Sequence, residues 1–249
     1  MSQPPLVLSL CDHSGNAVRP WAEVGFECWT VDLLHPPGVG DEEEGIRKVG
    51  ADVTKWCPPL NRKVEFVFAF PPCTHLAVSG ARWFKGKGLD ALADSLRIVA
   101  AVARICEQSG APYLIENPVS TLATYWRKPD FQFDPCDFAG YEDGCEDLYT
   151  KKTCLWTGGG FVMPEKKRLD PTLGSKMHLL PPSEDRGSLR SVTPKGFARA
   201  VFEANYKEIN NERQGPIACE PCRSDREGTG GCDLPREETQ LLRMGSDES

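Results

Sequence analysis

The ten residues VEFVFAFPPC (64–73) decide the fold that we expect for this chain. Apart from Glu65, the first seven are apolar and mostly β-branched or aromatic, which is typical of a central parallel strand buried on both faces. Two prolines then end the strand, because proline has no N–H for a ladder hydrogen bond. Cys73 follows directly, at the strand edge where open α/β sheets bind ligands.

The segments before this strand complete an α/β pattern. Residues 6–10 predict a short buried strand, 11–20 a loop, 20–26 a short helix and 27–34 a second strand with Asp32 near its end. A strand, a glycine-containing loop, a helix and a strand ending in an acid form a Rossmann-like arrangement. The acidic, turn-rich residues 35–45 are expected to form a loop.

The segments after Cys73 bring a carboxylate to the same edge. Residues 89–109 have apolar positions at helical spacing and stop at Gly110, and 112–117 predict a strand that ends in Glu116-Asn117-Pro118. Because a crossover helix joins parallel strands, Cys73 and Glu116 are expected at neighbouring strand ends.

The remaining chain contains fewer regular elements. Residues 125–185 are loop-rich, with strand candidates at 153–157 and 161–163, and 193–209 predict a helix with Thr193 as N-cap and Pro194 at its first position. We therefore expect an α/β fold with a doubly wound, mostly parallel sheet over residues 1–210, including a loop-rich segment at 125–190. A polar, cysteine-containing flexible tail is expected over residues 211–249.

Composition limits the function classes. The net charge is −7, which argues against tight non-specific binding of DNA, and the 11 cysteines are expected to be reduced thiols. There is no apolar run of about 18 residues, and the N-terminus lacks the pattern of a secretory signal. We expect a cytoplasmic protein without a membrane segment, and a monomer.

A cysteine and a carboxylic acid that converge on one pocket suit a particular chemistry. Carbon 5 of cytosine is a poor nucleophile, but a thiolate that adds to carbon 6 activates it if N3 is protonated or hydrogen-bonded at the same time. Cys73 and Glu116 could supply the thiolate and the acid.

The motifs FAFPPCTHLAVSG, LIENPVS and LSLCDHSGNAVRPWAEVGFECWTVDL resemble the cytosine-5 DNA methyltransferase family, in the small form found in bacteriophages without a large target-recognition domain. The resemblance implies S-adenosylmethionine as cofactor and DNA or a cytosine nucleotide as substrate. It makes Cys73 the nucleophile and Glu116 the group that holds N3, and a looser match adds Lys151 and Lys152. The implied cofactor site contains Asp12, His13, Ser14, Gly15, Asp32, Asp52 and Pro71, and the implied substrate site contains Pro72, Thr74, His75, Asn117 and Pro118.

Departures from the family pattern keep two alternatives open. His13 and Asn16 stand where the family has glycines, and Thr74 stands where it often has glutamine. The altered loop could suit 5,10-methylenetetrahydrofolate, which would make the enzyme a cytosine 5-hydroxymethyltransferase. The other alternative is a non-catalytic, methyltransferase-like module that binds nucleic acid.

Two further clusters have weaker interpretations. Cys219, Cys222 and Cys232 offer three sulfur ligands where zinc needs four, so we do not expect a zinc site. The basic residues around the last helix either form a solvated face of a helix that packs on the sheet or contact phosphate, Arg190 in particular. They are Arg186, Arg190, Lys195 and Arg199.

Overall fold

The computed structural model describes residues 4–144, 146–175 and 190–214. Its strands are β1 Leu6–Leu10, β2 Glu27–Glu43, β3 Ile46–Gly50, β4 Val64–Ala69, β5 Tyr113–Pro118, β6 Phe131–Phe133 and β7 Thr153–Gly158. Its α-helices are α1 Arg19–Ala22, α2 Phe84–Ser109, α3 Leu122–Tyr125 and α4 Lys195–Gln214. Short 3-10 helices cover Val78–Trp83, Pro135–Asp137 and Ala139–Tyr141.

The seven strands form one sheet in the order β3-β2-β1-β4-β5-β7-β6. β1 pairs in parallel with β2 and β4, and β4 pairs in parallel with β5. β7 runs antiparallel to both β5 and β6. The chain order reverses between β1 and β4, which makes their carboxyl ends the topological switch point where such sheets bind ligands.

Helices cover both faces of the sheet, as expected for a doubly wound fold. Leu6, Leu8 and Leu10 belong to a core cluster that also holds the buried residues of α2, whereas Val7 belongs to a second cluster with residues of α1 and α4. This alternation follows from the period of two in a strand. Every residue of β1 and of β4 is buried, which confirms the prediction of central strands covered on both faces.

The prediction of a loop over residues 35–45 is wrong, because β2 continues to Glu43. Residues 28–32 of β2 pair with β3 in rising register, while 39–43 pair with it in falling register, so the chain bends and returns along β3. Prolines and glycines are disfavoured in central strands, but this returning half lies at the sheet edge, where they are tolerated. Most of its side chains are exposed.

Helix boundaries differ from the predictions in instructive ways. α1 has only four residues, and α4 begins at Lys195 and continues to Gln214, into the segment expected to be a tail. α2 begins at Phe84, but Gly88 (φ 78°, ψ 177°) interrupts it, so the regular helix starts at Leu89 as the sequence predicts.

Residues 161–163 do not form the predicted strand. Phe161 and Met163 instead pack against the core cluster beside α4, and the side chain of Asn205 replaces a strand partner. Its Oδ1 accepts from Val162 N at 2.9 Å, and its Nδ2 donates to Val162 O at 3.0 Å. Phe161 and Met163 therefore bury apolar surface without pairing to a strand of the sheet.

Between β5 and α4, the described residues build only short elements and add no second sheet. Arg186, Cys219, Cys222 and Cys232 lie outside the described residues. In the described part of the chain, no three side chains are arranged to hold a metal ion. No described helix combines the length and the apolar character needed to cross a bilayer.

Candidate active site

Cys73 lies in the loop after β4, and Glu116 lies at the end of the neighbouring strand β5, just before the loop that follows that strand. Cys73 lies four residues beyond β4, and Glu116 lies two residues before the end of β5, which pairs in parallel with β4. The buried side chain of Asn117 donates through Nδ2 to Pro71 O at 2.9 Å. Val78 N donates to Val119 O at 3.0 Å, so the two loops are joined on both sides of Cys73. The predicted adjacency of the two strand ends is present.

Cys73 sits at a tight turn and is half-buried. Its carbonyl accepts from Leu76 N at 2.9 Å and from Ala77 N at 2.8 Å. Burial raises the pKa of the thiol, and the negative charge of Glu116 raises it further, while the charge of Lys151 opposes both effects. The thiol is therefore within electrostatic range of both predicted partners.

Glu116 has an unusual environment for a carboxylate. Its Oε1 is buried and has no hydrogen-bond partner among the described residues. Burial raises the pKa of this group, and Lys151 acts in the opposite direction. Buried polar atoms are normally paired, so an orphaned oxygen beside a cysteine is suited to a ligand that supplies the missing partner.

The two lysines of the 151–152 pair have different positions. Lys151 is half-buried, donates through Nζ to Arg190 O at 2.9 Å, and acts electrostatically on Cys73 and Glu116. Lys152 is exposed, and its charge acts on the buried thiol of Cys154 on β7. The structure brings Lys151 and not Lys152 to the thiol and the carboxylate.

Of the basic residues around α4 that the structure describes, Arg190 is the one whose charge acts on this site. Its charge helps to hold down the pKa of Cys73, and its backbone carbonyl fixes the ammonium of Lys151. Arg199, in contrast, pairs with Glu23 at 2.7 Å, as expected for a helix that packs on the sheet with a basic outer face.

The loop after β1 is organised by Asp12. One carboxylate oxygen accepts from Ser14 N, Ser14 Oγ and Gly15 N, each at 2.9 Å, and the other accepts from Ser9 Oγ at 2.7 Å. Asp12 thus shapes the predicted cofactor loop from inside, and its carboxylate is buried. Gly15 adopts φ 70°, which favours glycine at this position.

His13 is exposed in this loop and lies beside His35, with ring centroids 5.0 Å apart. The ring of His35 is buried, and its Nε2 lies 3.3 Å from Asp12 O and 3.2 Å from Thr30 Oγ1. Burial lowers the pKa of His35. Sequence reasoning did not select His35, because a lone histidine in a proline-rich segment gives no signal until β2 bends back.

The charges of three carboxylates act on Cys11, the first residue of the same loop. Burial raises the pKa of Cys11 to about 12, with further contributions from Asp32, Asp12 and Asp52. Asp32 accepts from Leu34 N at 2.8 Å through Oδ1, and Asp52 accepts from Thr54 N and Thr54 Oγ1. Asp12, Asp32 and Asp52 therefore lie near the carboxyl ends of β1, the parallel half of β2, and β3.

The other predicted residues flank Cys73 and Glu116. Pro71 is buried, Pro72 and Thr74 are exposed, and His75 and Pro118 are half-buried. Two contacts that sequence analysis did not suggest hold this region. Lys87 of α2 donates to Thr74 O at 2.7 Å, and Thr121 N donates to Leu76 O at 2.9 Å.

No protein-family model matches the chain, and no curated protein matches it by sequence. Similar solved structures include a prophage-encoded E. coli protein to which DNA modification by methyl transfer is ascribed, with 12% identity and a TM-score of 0.37 over 62% of this chain and 46% of that one. The glycopeptide N-methyltransferase MtfA matches with 16% identity and a TM-score of 0.27, over 53% of each chain. MtfA complexed with S-adenosyl-L-homocysteine gives 15% and 0.26, over 63% of this chain and 57% of that one.

The chain thus spans about half the length of these structures. Because the identities are 16% or lower, the activity has to be inferred from the residues of the site.

Proposed function

We propose that this chain is a cytosine-5 DNA methyltransferase in which Cys73 is the nucleophile and Glu116 the acid that engages N3 of the base. One observation carries the proposal: the buried Oε1 of Glu116 has no hydrogen-bond partner among the residues that the structure describes, and it lies in a site whose charges act on the Cys73 thiol. The ring of a cytosine inserted between them would offer N3 to Glu116 and carbon 6 to the sulfur.

The proposed chemistry balances with these two groups. The Cys73 thiolate forms a bond to carbon 6 while the proton of Glu116 passes to N3, and the displaced electron pair makes carbon 5 nucleophilic. After carbon 5 has gained the one-carbon group, it loses its proton to a base. The carbon–sulfur bond then breaks, and N3 returns its proton to the Glu116 carboxylate.

The charges of the site suit this order of events. Burial raises the pKa of Glu116, which keeps a proton available for N3. The Glu116 charge raises the pKa of Cys73, so protonation of Glu116 removes one obstacle to forming the thiolate. Lys151 and Arg190 then favour the thiolate, because their charges lower the pKa of Cys73.

The residues at the carboxyl ends of β1, β2 and β3 fit S-adenosylmethionine. Asp12, Asp32 and Asp52 create a negative environment there, which would favour a sulfonium and ribose hydroxyls and would repel the phosphates of a dinucleotide. Asp32 and Asp52 would hold the ribose and the adenine side, and the loop of residues 11–16 would lie beneath the ligand. When bound, the cofactor supplies the electrophilic methyl group.

The proposal is tested by incubating the protein with cytosine-containing DNA and S-adenosylmethionine, followed by mass spectrometry of the nucleosides. We expect 5-methylcytosine from the natural protein and none detectable from Cys73→Ser. Glu116→Gln should lose about 10²–10⁴-fold in rate, the usual contribution of a general acid. Cys57→Ser, at an exposed cysteine, is the matched control and should retain full activity.

A parallel incubation with 5,10-methylenetetrahydrofolate tests the other donor. The exposed His13 above the buried His35 is the feature that departs most from a glycine loop. A hydroxymethyl product with folate and no methyl product would reassign the donor and keep the roles of Cys73 and Glu116. No product with either donor would overturn the enzymatic proposal.

A further inference from the structure

A cavity whose lining includes neither Cys73 nor Glu116 opens beside the loop of residues 70–77, which carries Cys73 and is called the nucleophile loop below. Its volume is about 360 Å³, and it lies between the interrupted start of α2 and the segment after β5. Most of its wall is apolar or aromatic, and its principal lining residues are His75, Phe84, Leu89, Leu92, Thr121 and Tyr125. A ring-shaped apolar ligand would suit this wall.

His75, one of the residues that line the cavity, has a polar ring atom in need of a partner. His75 Nδ1 is buried and makes no hydrogen bond among the described residues. Buried polar atoms without partners are uncommon, and at a cavity wall they indicate where a ligand can bond. His75 is two residues after Cys73, a stretch of chain that spans at most about 7 Å. One extended molecule can therefore reach both positions.

The rim of the cavity is positively charged although the whole chain carries −7. Residues 78–89 contain Arg82, Lys85 and Lys87 and no acidic residue. Arg82 and Lys85 are exposed and form no ion pair among the described residues, while Lys87 is held by Thr74 O. This local charge complements a phosphate backbone.

An aromatic platform adjoins the same rim. The side chain of Trp83 is 60% exposed, and the guanidinium of Arg82 lies 5.1 Å from its ring centroid. Tyr125, on the opposite side of the cavity, is 54% exposed. Exposed aromatic rings interleaved with cations are the usual means of binding single-stranded nucleic acid, because bases stack on the rings while the cations follow the backbone.

We propose that this cavity is a second base pocket, which holds the nucleobase next to the target cytosine in a single strand of DNA. The inference rests on the proposed function, since it identifies the target as a cytosine at Cys73. The neighbouring base packs against the apolar wall of the cavity and forms a hydrogen bond with His75 Nδ1. Lys85 contacts the backbone phosphate. The substrate is then a polynucleotide and not a free nucleotide. Two unstacked bases make a single strand a better ligand than a duplex, which must be opened first.

Binding is measured by fluorescence anisotropy with a fluorescein-labelled 12-nucleotide single strand that contains one cytosine. Cys73→Ser protein without any donor is used, so the result does not depend on catalysis. An abasic site is placed in turn at each position beside the cytosine. We expect one position to weaken binding about tenfold, the usual effect of losing one stacked base.

A filled pocket provides the decisive comparison. Ala91→Phe places a ring in the cavity from α2, and Ala100→Phe places one on an exposed position of the same helix. Ala91→Phe should bind the intact strand about tenfold more weakly and should no longer respond to the abasic position. Ala100→Phe should behave as the parent. If Ala91→Phe does not fold, Tyr125→Ala at an exposed position replaces it.

Unchanged affinity at every abasic position, or parent-like binding by the filled variant, would overturn the second pocket. Equal methylation of dCMP and the 12-nucleotide strand by the natural protein would also overturn it, while leaving the proposed function intact. Abasic sensitivity without any modified nucleoside would support the pocket and reject the proposed function.

Discussion

The proposed roles of Cys73 and Glu116 require opposite protonation states, although burial and the charge of Lys151 act on both groups. In the proposed mechanism the nucleophile must lose its proton, whereas the acid must keep one until N3 of the base accepts it. Burial raises the pKa of both groups, which helps Glu116 and hinders Cys73. Lys151 lowers the pKa of both groups. Its charge therefore favours the Cys73 thiolate, but it also favours loss of the Glu116 proton. The charge state of Glu116 is therefore one of the factors that set the pKa of the thiol, after burial.

Glu116→Gln should make Cys73 titrate at a lower pH than in the natural protein. The substitution removes the negative charge that raises the thiol pKa and keeps the shape of the side chain. The measurement is the pH dependence of iodoacetamide labelling of the peptide that contains Cys73, followed by mass spectrometry. Glu165→Gln, at an exposed residue, is the control and should leave the profile in place.

Lys151→Gln should move the same labelling profile to higher pH, because it removes a charge that favours the thiolate. Shifts in the same direction for the Glu116 and Lys151 variants would contradict the proposed arrangement of charges.

The stability of the protein should also respond to Glu116. Because its folded pKa is raised, the folded state binds more protons than the unfolded state above the ordinary glutamate value. Below that value Glu116 does not reduce the free energy of unfolding. Above it, the reduction in the free energy of unfolding grows as the pH rises through the folded pKa. The unfolding midpoint of Glu116→Gln relative to the natural protein should therefore increase between pH 4 and pH 8 in thermal scans. A difference that stays constant or decreases with pH would show that Glu116 is not destabilised by burial.

At the scale of elements, alignment of the two loops depends on the hydrogen bond from Asn117 to Pro71 O. Asn117→Ala should lower kcat on DNA by at least about tenfold, since small misplacements of reacting groups are costly. Asn205→Ala is a matched control, because it removes hydrogen bonds to Val162 far along the chain from both loops. Each variant should lose about 1–3 kcal/mol of stability in urea denaturation.

Steady-state rates at 20 °C, where both variants remain folded, separate alignment from stability. A similar fall in kcat for the Asn117 and Asn205 variants would mean that general destabilisation explains the loss.

The sequence predicted the elements whose signals are local and strong. β1, β4 and β5 are short apolar runs, and their ends place Cys73 and Glu116 together without knowledge of side-chain contacts. β3 was missed because five residues with two internal cations, Arg47 and Lys48, give a weak pattern. The returning half of β2 was missed because edge pairing overrides the low strand propensity of proline and glycine.

Contacts between distant segments were beyond sequence reasoning. His35 approaches the loop of Asp12 only because β2 bends back, and Lys151 is fixed by a carbonyl 39 residues away. Asn205 of α4, which lies 43 residues after Val162, satisfies the backbone of that residue. Each depends on tertiary placement, which no local pattern encodes.

At the scale of the whole molecule, the charge distribution should limit how strongly DNA binds. The net charge of −7 opposes long-range attraction to a polyanion, whereas Arg82, Lys85 and Arg190 concentrate positive charge around the nucleophile loop. Such a protein should contact few phosphates and depend on stacking and on the base pockets for most of its affinity.

The salt dependence of binding measures this balance. With two or three phosphate contacts, log K for a single strand should fall against log salt with a slope of about −1.4 to −2.1, from roughly −0.7 for each contact. Lys85→Gln should reduce the slope by about 0.7, because it removes one exposed cation at the rim of the cavity. Arg104→Gln, on an exposed position of α2 away from the cavity, should leave the slope unchanged. A slope steeper than about −4 for the natural protein would require about six contacts, more than the cations beside the nucleophile loop can supply.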